Sequence, residues 1–248
     1  MQYAICNMGV VPLRAEPAHT AEMVSQLLYG ESYKILEARA KWSRIRTSFD
    51  ALEAWVENNQ IFKISESEYE NLQMSQSVLA ADLMEFVTAG EQLIPIPLGS
   101  EIQGVALLAH KHSGTTARGN QPKEKLIETA FLYLNAPYMW GGKTPMGIDA
   151  SGFTQMVYKL NGYKLARNAA EQARQGESLS FIEESEPGDL AFFDGPDGVI
   201  NHVGIMMRDN YILHADGKVR LDRIDHSGIY NSELRRHTHQ LRVIKKVI

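Results

Sequence analysis

The junction between residues 140 and 152 constrains this chain more than any other stretch. Trp140-Gly141-Gly142 forms a glycine-rich loop, and Asp149-Ala150-Ser151-Gly152 then opens a helix whose apolar residues recur at Phe153, Met156, Val157 and Leu160. A side chain in the first turn of such a helix faces unpaired backbone N–H groups and the positive end of the helix dipole, so an anion placed there is stabilised. The junction reads as the floor of an active site built around a nucleophile. Position 150 nevertheless holds alanine, which neither attacks nor ionises.

The elements around this junction set the fold class. Upstream, Pro122 suits the first turn of a helix whose face is Ile127, Ala130, Phe131 and Leu134, and Asn135-Ala136-Pro137 ends it. Downstream, the helix over 149–160 stops before Gly162, a left-handed cap. Asn168 and Glu171 have the spacing of a capping box for a short third helix running to Gly176. Past the turn Pro187-Gly188-Asp189 the pattern changes to strands over 190–193, 199–207, 211–215, 218–221 and 241–248, with Asp209-Asn210 joining two of them as a hairpin. Helices first and an antiparallel sheet afterwards define an α+β domain over residues 121–248.

The N-terminal part has a different rhythm. Short strand-like runs over 10–14, 23–28, 32–36, 42–47, 54–56 and 61–64 predict a small all-β barrel over residues 1–62. Between 63 and 120 the signal weakens: 78–88 suits a helix or a strand before a turn at Gly90, 93–97 reads as an extended edge because Pro95 and Pro97 lack ladder N–H groups, and 111–121 reads as a linker. No Cys, Asp or Glu completes a zinc-like set around His110 and His112, so no metal or other cofactor is expected. His226, His237 and His239 lie among charged residues and read as solvated surface.

Composition limits the function classes. A net charge of -5 and a pI near 5.9 argue against a nucleic-acid partner, which needs a basic surface to displace counterions. No apolar run is long enough for a membrane span, and the N-terminus shows no basic cluster followed by an apolar run, so a cytoplasmic protein is expected. Cys6 is the single cysteine; it forms no intrachain disulfide and reads as a buried apolar residue in a first strand. Oligomeric state is not legible in the chain.

Four pieces occur in order: Pro137-Tyr138-Met139-Trp140-Gly141-Gly142, Asp149-Ala150-Ser151-Gly152-Phe153, Asn201-His202-Val203-Gly204-Ile205 and His214-Ala215. Together they resemble the NlpC-type cell-wall cysteine peptidases. Val11-Pro12-Leu13-Arg14, Leu28-Tyr29-Gly30-Glu31, Trp42-Ser43-Arg44-Ile45-Arg46 and Ala54-Trp55-Val56 resemble bacterial SH3-like modules, with 63–120 a second, divergent SH3-like segment running into the linker. The resemblance implies a papain-like domain, N-terminal helices packed on an antiparallel sheet. Ala150 then stands where the family has its nucleophilic cysteine, whose thiol, with an ordinary pKa of about 8.5, needs help to ionise. By the same resemblance His202 is the general base, His214 the polar group that orients it, and Tyr138 with the backbone N–H of residue 150 faces the oxyanion.

The implied substrate is a murein peptide, cut between γ-D-glutamate and a diamino acid behind a free N-terminal L-alanine. Asp149, Ser151 and Trp140 are then peptide contacts, and Glu16 in the first loop of the SH3-like module recognises the amine. Three positions depart from the pattern: Leu52 stands at a tyrosine position, Asn168 at an aspartate position and Ala169 where serine is frequent. The chain is therefore expected to be an inactive member of a hydrolase family. Its nucleophile was exchanged for alanine, or it is a natural pseudoenzyme or binding module for cell-wall peptides.

Overall fold

The structure, a computed structural model, describes residues 1–195 and 197–248. Two compact units divide the chain, Met1–Asn120 with Trp140–Thr144, and Gln121–Met139 with Pro145–Ile248.

In the first unit, β1 (Gln2–Ile5), β2 (Val10–Arg14), β3 (Met23–Leu28), β4 (Ser32–Ala38), β5 (Trp42–Thr47), β6 (Glu53–Glu57) and β7 (Phe62–Ile64) form one sheet in the order β3-β2-β6-β5-β4-β1-β7. Strand alternation turns Val11 and Leu13 of β2 and Ile45 of β5 inward, where they meet Ala4, Leu27 and Tyr33. Each such aliphatic side chain contributes about 1.5–3 kcal/mol on burial. Cys6 follows β1 instead of lying in it; it is fully buried, and burial pushes its thiol up to about 12. A thiol in that state is inert.

Helix α1 (Glu66–Met74) was not expected, although its start was readable: Ser65 accepts from the Glu68 N–H, and the Glu68 carboxylate accepts from the Ser65 N–H at 2.7 Å. The stretch 78–88 is extended, as β8 (Val78–Ala80) and β9 (Met84–Ala89). The proline-bearing β10 (Gln92–Pro97) takes an edge of the sheet β10-β9-β11, whose third strand is β11 (His110–His112). Residues 111–121 do not form a linker throughout: His112 pairs with Val87, and β12 (Thr116–Arg118) pairs with β8. Ile5 of β1 and Tyr29, in the turn after β3, share a core with Ala80, Val87, Ile96 and Leu108, so 63–120 closes on the preceding strands and turn. The last element of this unit is β13 (Lys143–Thr144), where the Lys143 ammonium donates to the buried Glu31 carboxylate at 2.9 Å.

In the second unit, α2 (Lys125–Phe131) starts after a turn at Pro122 and buries Leu126 and Ala130, with Tyr133 beyond its end, while Phe131 and Leu134 stay exposed. The expected face is thus rotated by about one residue. Leu126-Ala130-Tyr133 and Ile127-Ala130-Phe131-Leu134 fit a 3.6-residue period equally well, and packing of the larger Tyr133 chose between them. After β14 (Gly147–Ile148), α3 (Ala150–Leu160) ends in a Schellman motif: the Gly162 N–H reaches the Lys159 carbonyl, the Tyr163 N–H reaches the Tyr158 carbonyl, and Gly162 has φ 87°. The third helix, α4 (Ala169–Gln172), is a single turn, and the Asn168 side chain makes no capping hydrogen bond.

The strands are β15 (Glu177–Leu179), β16 (Leu190–Asp194), β17 (Ile200–Met206), β18 (Tyr211–Asp216), β19 (Lys218–Asp225), β20 (Gly228–Asn231) and β21 (Arg236–Lys246). They are ordered β15-β21-β16-β17-β18-β19-β20, and β20 pairs back onto β21. The expected antiparallel sheet is therefore closed into a six-stranded barrel, with Ala191, Phe193, Met206, Ile212 and Ile224 in its core. Strands β19 and β21 are longer than expected, because the turn at Asp225, whose carboxylate accepts from the Ser227 and Gly228 N–H groups, folds β20 back between them. Helix α3 packs against β17 and β18. Among the described residues no helix is long and apolar enough to cross a membrane.

Candidate active site

The head of α3 is anchored by a buried charge. Asp149 is its N-cap, accepting from the Gly152 N–H at 2.6 Å, and both its oxygens are held by the Arg167 guanidinium, at 2.6 and 3.0 Å. Arg167 is 2% exposed and also donates to Ser151 Oγ at 3.0 Å. A fork-shaped bidentate contact of this kind fixes direction as well as charge. Gln172, fully buried, ties α4 to the same turn by donating to the Ser151 carbonyl at 2.9 Å and accepting from Thr154 Oγ1 at 2.8 Å. Ala150 lies within this frame, 6% exposed.

Tyr138 is brought to the strand that leads into this turn. The Ile148 N–H donates to the Pro137 carbonyl and the Met139 N–H to the Ile148 carbonyl, while the Tyr138 N–H reaches Gly217 between β18 and β19. Its ring is 39% exposed, and its phenol is pushed above the ordinary value by partial burial and by the Asp149 and Asp216 carboxylates. A neutral phenol that keeps its proton is a hydrogen-bond donor.

The histidines come from adjacent strands. His202, Gly204 and Met206 share one face of β17, the face that Met206 turns into the barrel core, and Gly204 lies opposite His214 of β18. A Cβ at position 204 would stand 2.9 Å from the His214 Cβ and 2.7 Å from Ile212, so the glycine is what lets the two strands seat this histidine. His202 Nε2 lies 2.9 Å from His214 Nδ1, and His214 Nε2 lies 3.0 Å from Asp222 Oδ2. A carboxylate only accepts, so His214 donates from Nε2; with His214 neutral its Nδ1 accepts from His202 Nε2–H, and His202 Nδ1 is left as the basic nitrogen. That tautomer suits a general base.

Asp222 also receives Arg220 at 2.6 and 3.1 Å. Burial works to raise its pKa, but hydrogen bonds from His214 and Arg220 outweigh it, and the carboxyl is held below its ordinary value. Burial, then His239 and His214, hold His202 well below the usual histidine range.

His239 is a correction to the sequence reading. It is a partly buried ring of β21, stacked on His202 at 4.0 Å between centroids and 25° between planes. Burial, then His214, lowers it to about 4. His226 and His237 are exposed, as expected, with His237 on Asp225. The expected strand at 241–248 began too late to include His239, and the one at 218–221 stopped one residue short of Asp222. Arg167, Gln172 and Arg220 carried no sequence motif; Arg220 and Asp222 are readable only as an i, i+2 pair once β19 is known to continue.

The remaining sequence-selected positions lie elsewhere in their units. In the first unit, Glu16 is exposed after β2, Leu52 packs against the β-sheet core, and the Trp140 indole donates to Glu22. In the second, Asn168 is exposed before α4, and Ala169 is buried in that helix.

The NlpC/P60 family matches residues 135–242, and the bacterial dipeptidyl-peptidase Sh3 domain matches residues 13–61. The gamma-D-glutamyl-L-lysine dipeptidyl-peptidase of Bacillus subtilis is 37% identical over 94 residues, which span 37% of this chain and only 31% of that protein. The dipeptidyl-peptidase 6 of Lysinibacillus sphaericus is 28% identical over 242 residues, 86% of this chain and 87% of its own. An NlpC/P60 family protein from Bacillus cereus superposes with a TM-score of 0.81 over 99% of both chains, at 15% identity, a likeness of fold. Residues 135–242 are thus an NlpC/P60 domain, and residues 13–61 ahead of it a bacterial dipeptidyl-peptidase Sh3 domain.

Proposed function

We propose that the second unit is the papain-like scaffold of a cysteine-type murein-peptide hydrolase, and that this chain takes up L-Ala-γ-D-Glu-diamino acid peptides without cutting them. The observation that carries the reading is Ala150 at the head of α3, in a turn pinned by the Asp149–Arg167 pair. Its methyl has no lone pair to attack a carbonyl and no proton to give His202. The reading draws support from the relatives named as dipeptidyl-peptidases. Calorimetry with L-Ala-γ-D-Glu-diaminopimelate, followed by mass spectrometry of the recovered peptide, tests it. Saturable binding with intact peptide is expected; release of the diamino acid, or no binding, overturns it.

A module that evolved only to bind is the second reading, favoured by Leu52, whose side chain is absorbed in the first unit's core and offers no hydroxyl to a ligand. Ala150→Cys separates the two: a hydrolase scaffold gains cleavage, whereas a pure binding module gains none.

A further inference from the structure

We propose that the end of the barrel in the second unit is a binding site for a zinc-class transition-metal ion, held by His202, His214 and His239. Each histidine offers one ring nitrogen, and the three nitrogens lie within 4.8 Å of one another. Tetrahedral zinc with Zn–N bonds of about 2.0–2.1 Å holds its nitrogens about 3.3 Å apart. The widest separation therefore has to close by about 1.5 Å, which side-chain rotation supplies, and His202 Nε2 and His214 Nδ1 already stand 2.9 Å apart.

The surroundings are those of a ligand set. His214 has its Nε2 committed to Asp222, the carboxylate–histidine arrangement that fixes a ligating tautomer, and Nδ1 is then the donor atom. His239 has Nδ1 beside Thr238 Oγ1 at 2.9 Å, which leaves Nε2. His202 exchanges tautomers on binding: the proton on Nε2 moves to Nδ1 through solvent, Nε2 ligates, and no net proton is released. His239, partly exposed, is the entry side, and solvent fills the fourth position.

Zn2+ titrated by calorimetry into the full, chelator-treated chain should bind one-to-one, and Co2+ should give the intense visible bands of four-coordinate cobalt. His239→Gln and Asp222→Asn should each weaken Zn2+ by at least about tenfold, the lower end of the loss when even an outer partner is removed. His237→Gln, altering an exposed histidine on Asp225, should change nothing. Weak, non-saturable Zn2+ uptake, a six-coordinate cobalt spectrum, or unchanged affinity in a folded His239→Gln variant overturns the site. The cobalt spectrum of the unsubstituted chain decides the matter even if a variant does not fold. None of these readouts involves peptide, so failure of the proposed peptide binding leaves them standing.

Discussion

At the head of α3 and at the end of the barrel, a buried carboxylate is held by both oxygens on a guanidinium, Asp149 by Nη1 and Nη2 of Arg167 and Asp222 by Nε and Nη2 of Arg220. From Asp222 the contacts run on through His214 to His202, which keeps a nitrogen free to take a proton. From Asp149 they run to Ser151 and the first turn of the helix, and stop at the methyl of Ala150. A helix cap and its guanidinium hold the turn whatever side chain stands at 150, whereas the histidine pair has a purpose only if something nearby exchanges a proton or a metal with it.

Introducing a nucleophile at position 150 gives the largest effect. Ala150→Cys should produce cleavage of L-Ala-γ-D-Glu-diaminopimelate with a gain in turnover on the order of 10⁶, the scale on which removal of a catalytic nucleophile acts. The double variant Ala150→Cys, His202→Ala should remain inert. Diamino acid release followed by chromatography reads both; cleavage that survives without His202 would mean that the barrel end is not the base.

The next effect sets the two ion pairs against each other. Arg167→Met leaves Asp149 as a buried charge without its guanidinium and should cost about 3–5 kcal/mol in denaturant unfolding. Arg220→Met should cost less, about 1–3 kcal/mol, because His214 still donates to Asp222. Equal losses would show that the histidine contributes nothing to holding Asp222, and would remove the difference between the two ends.

What was legible in advance follows the same division. The head of α3 could be read because its signals are local: a glycine pair, an N-capping aspartate, a 3.6-residue period and a glycine stop all lie within about twenty residues. His202 and His214 were legible only through motif resemblance, and their partners were not. Arg220, Asp222 and His239 depend on β19 and β21 running on past the residues with a clear apolar alternation, and on β20 pairing back to close the barrel. That pairing is non-local, and charged residues between 220 and 240 mask it. In the first unit the short β8, β11 and β12 escaped for a related reason: they complete a core begun by Ile5 and Tyr29, far away in sequence.

The barrel end should also respond to pH. His202 and His239 have folded-state pKa values below that of an unfolded histidine, so the unfolded chain binds protons first as pH falls. Their contribution is fully present above about pH 6.5 and is lost as pH falls below it, toward about 4 for His239. The slope for a fully buried group is at most about 1.4 kcal/mol per pH unit, and less for His239 because solvent reaches it. Melting temperatures between pH 7 and 4 should fall along this window, and His239→Gln should flatten the curve; an unchanged curve would mean that the stacked ring is already protonated.

The smallest effect belongs to the α3 side. Ser151 Oγ accepts from Arg167 at 3.0 Å and donates to Asp149 Oδ1 at 3.3 Å, so Ser151→Ala removes two side-chain hydrogen bonds but leaves the carboxylate in its fork. Ser151 is half-buried, and water can take up the freed donor. The loss should be about 1 kcal/mol or less, with no change in the NMR titration of His202. A loss as large as that of Arg167→Met would make the hydroxyl, and not the carboxylate, the anchor of the turn. A shifted His202 titration would show that the two ends communicate through α3, which packs on the strands carrying both histidines.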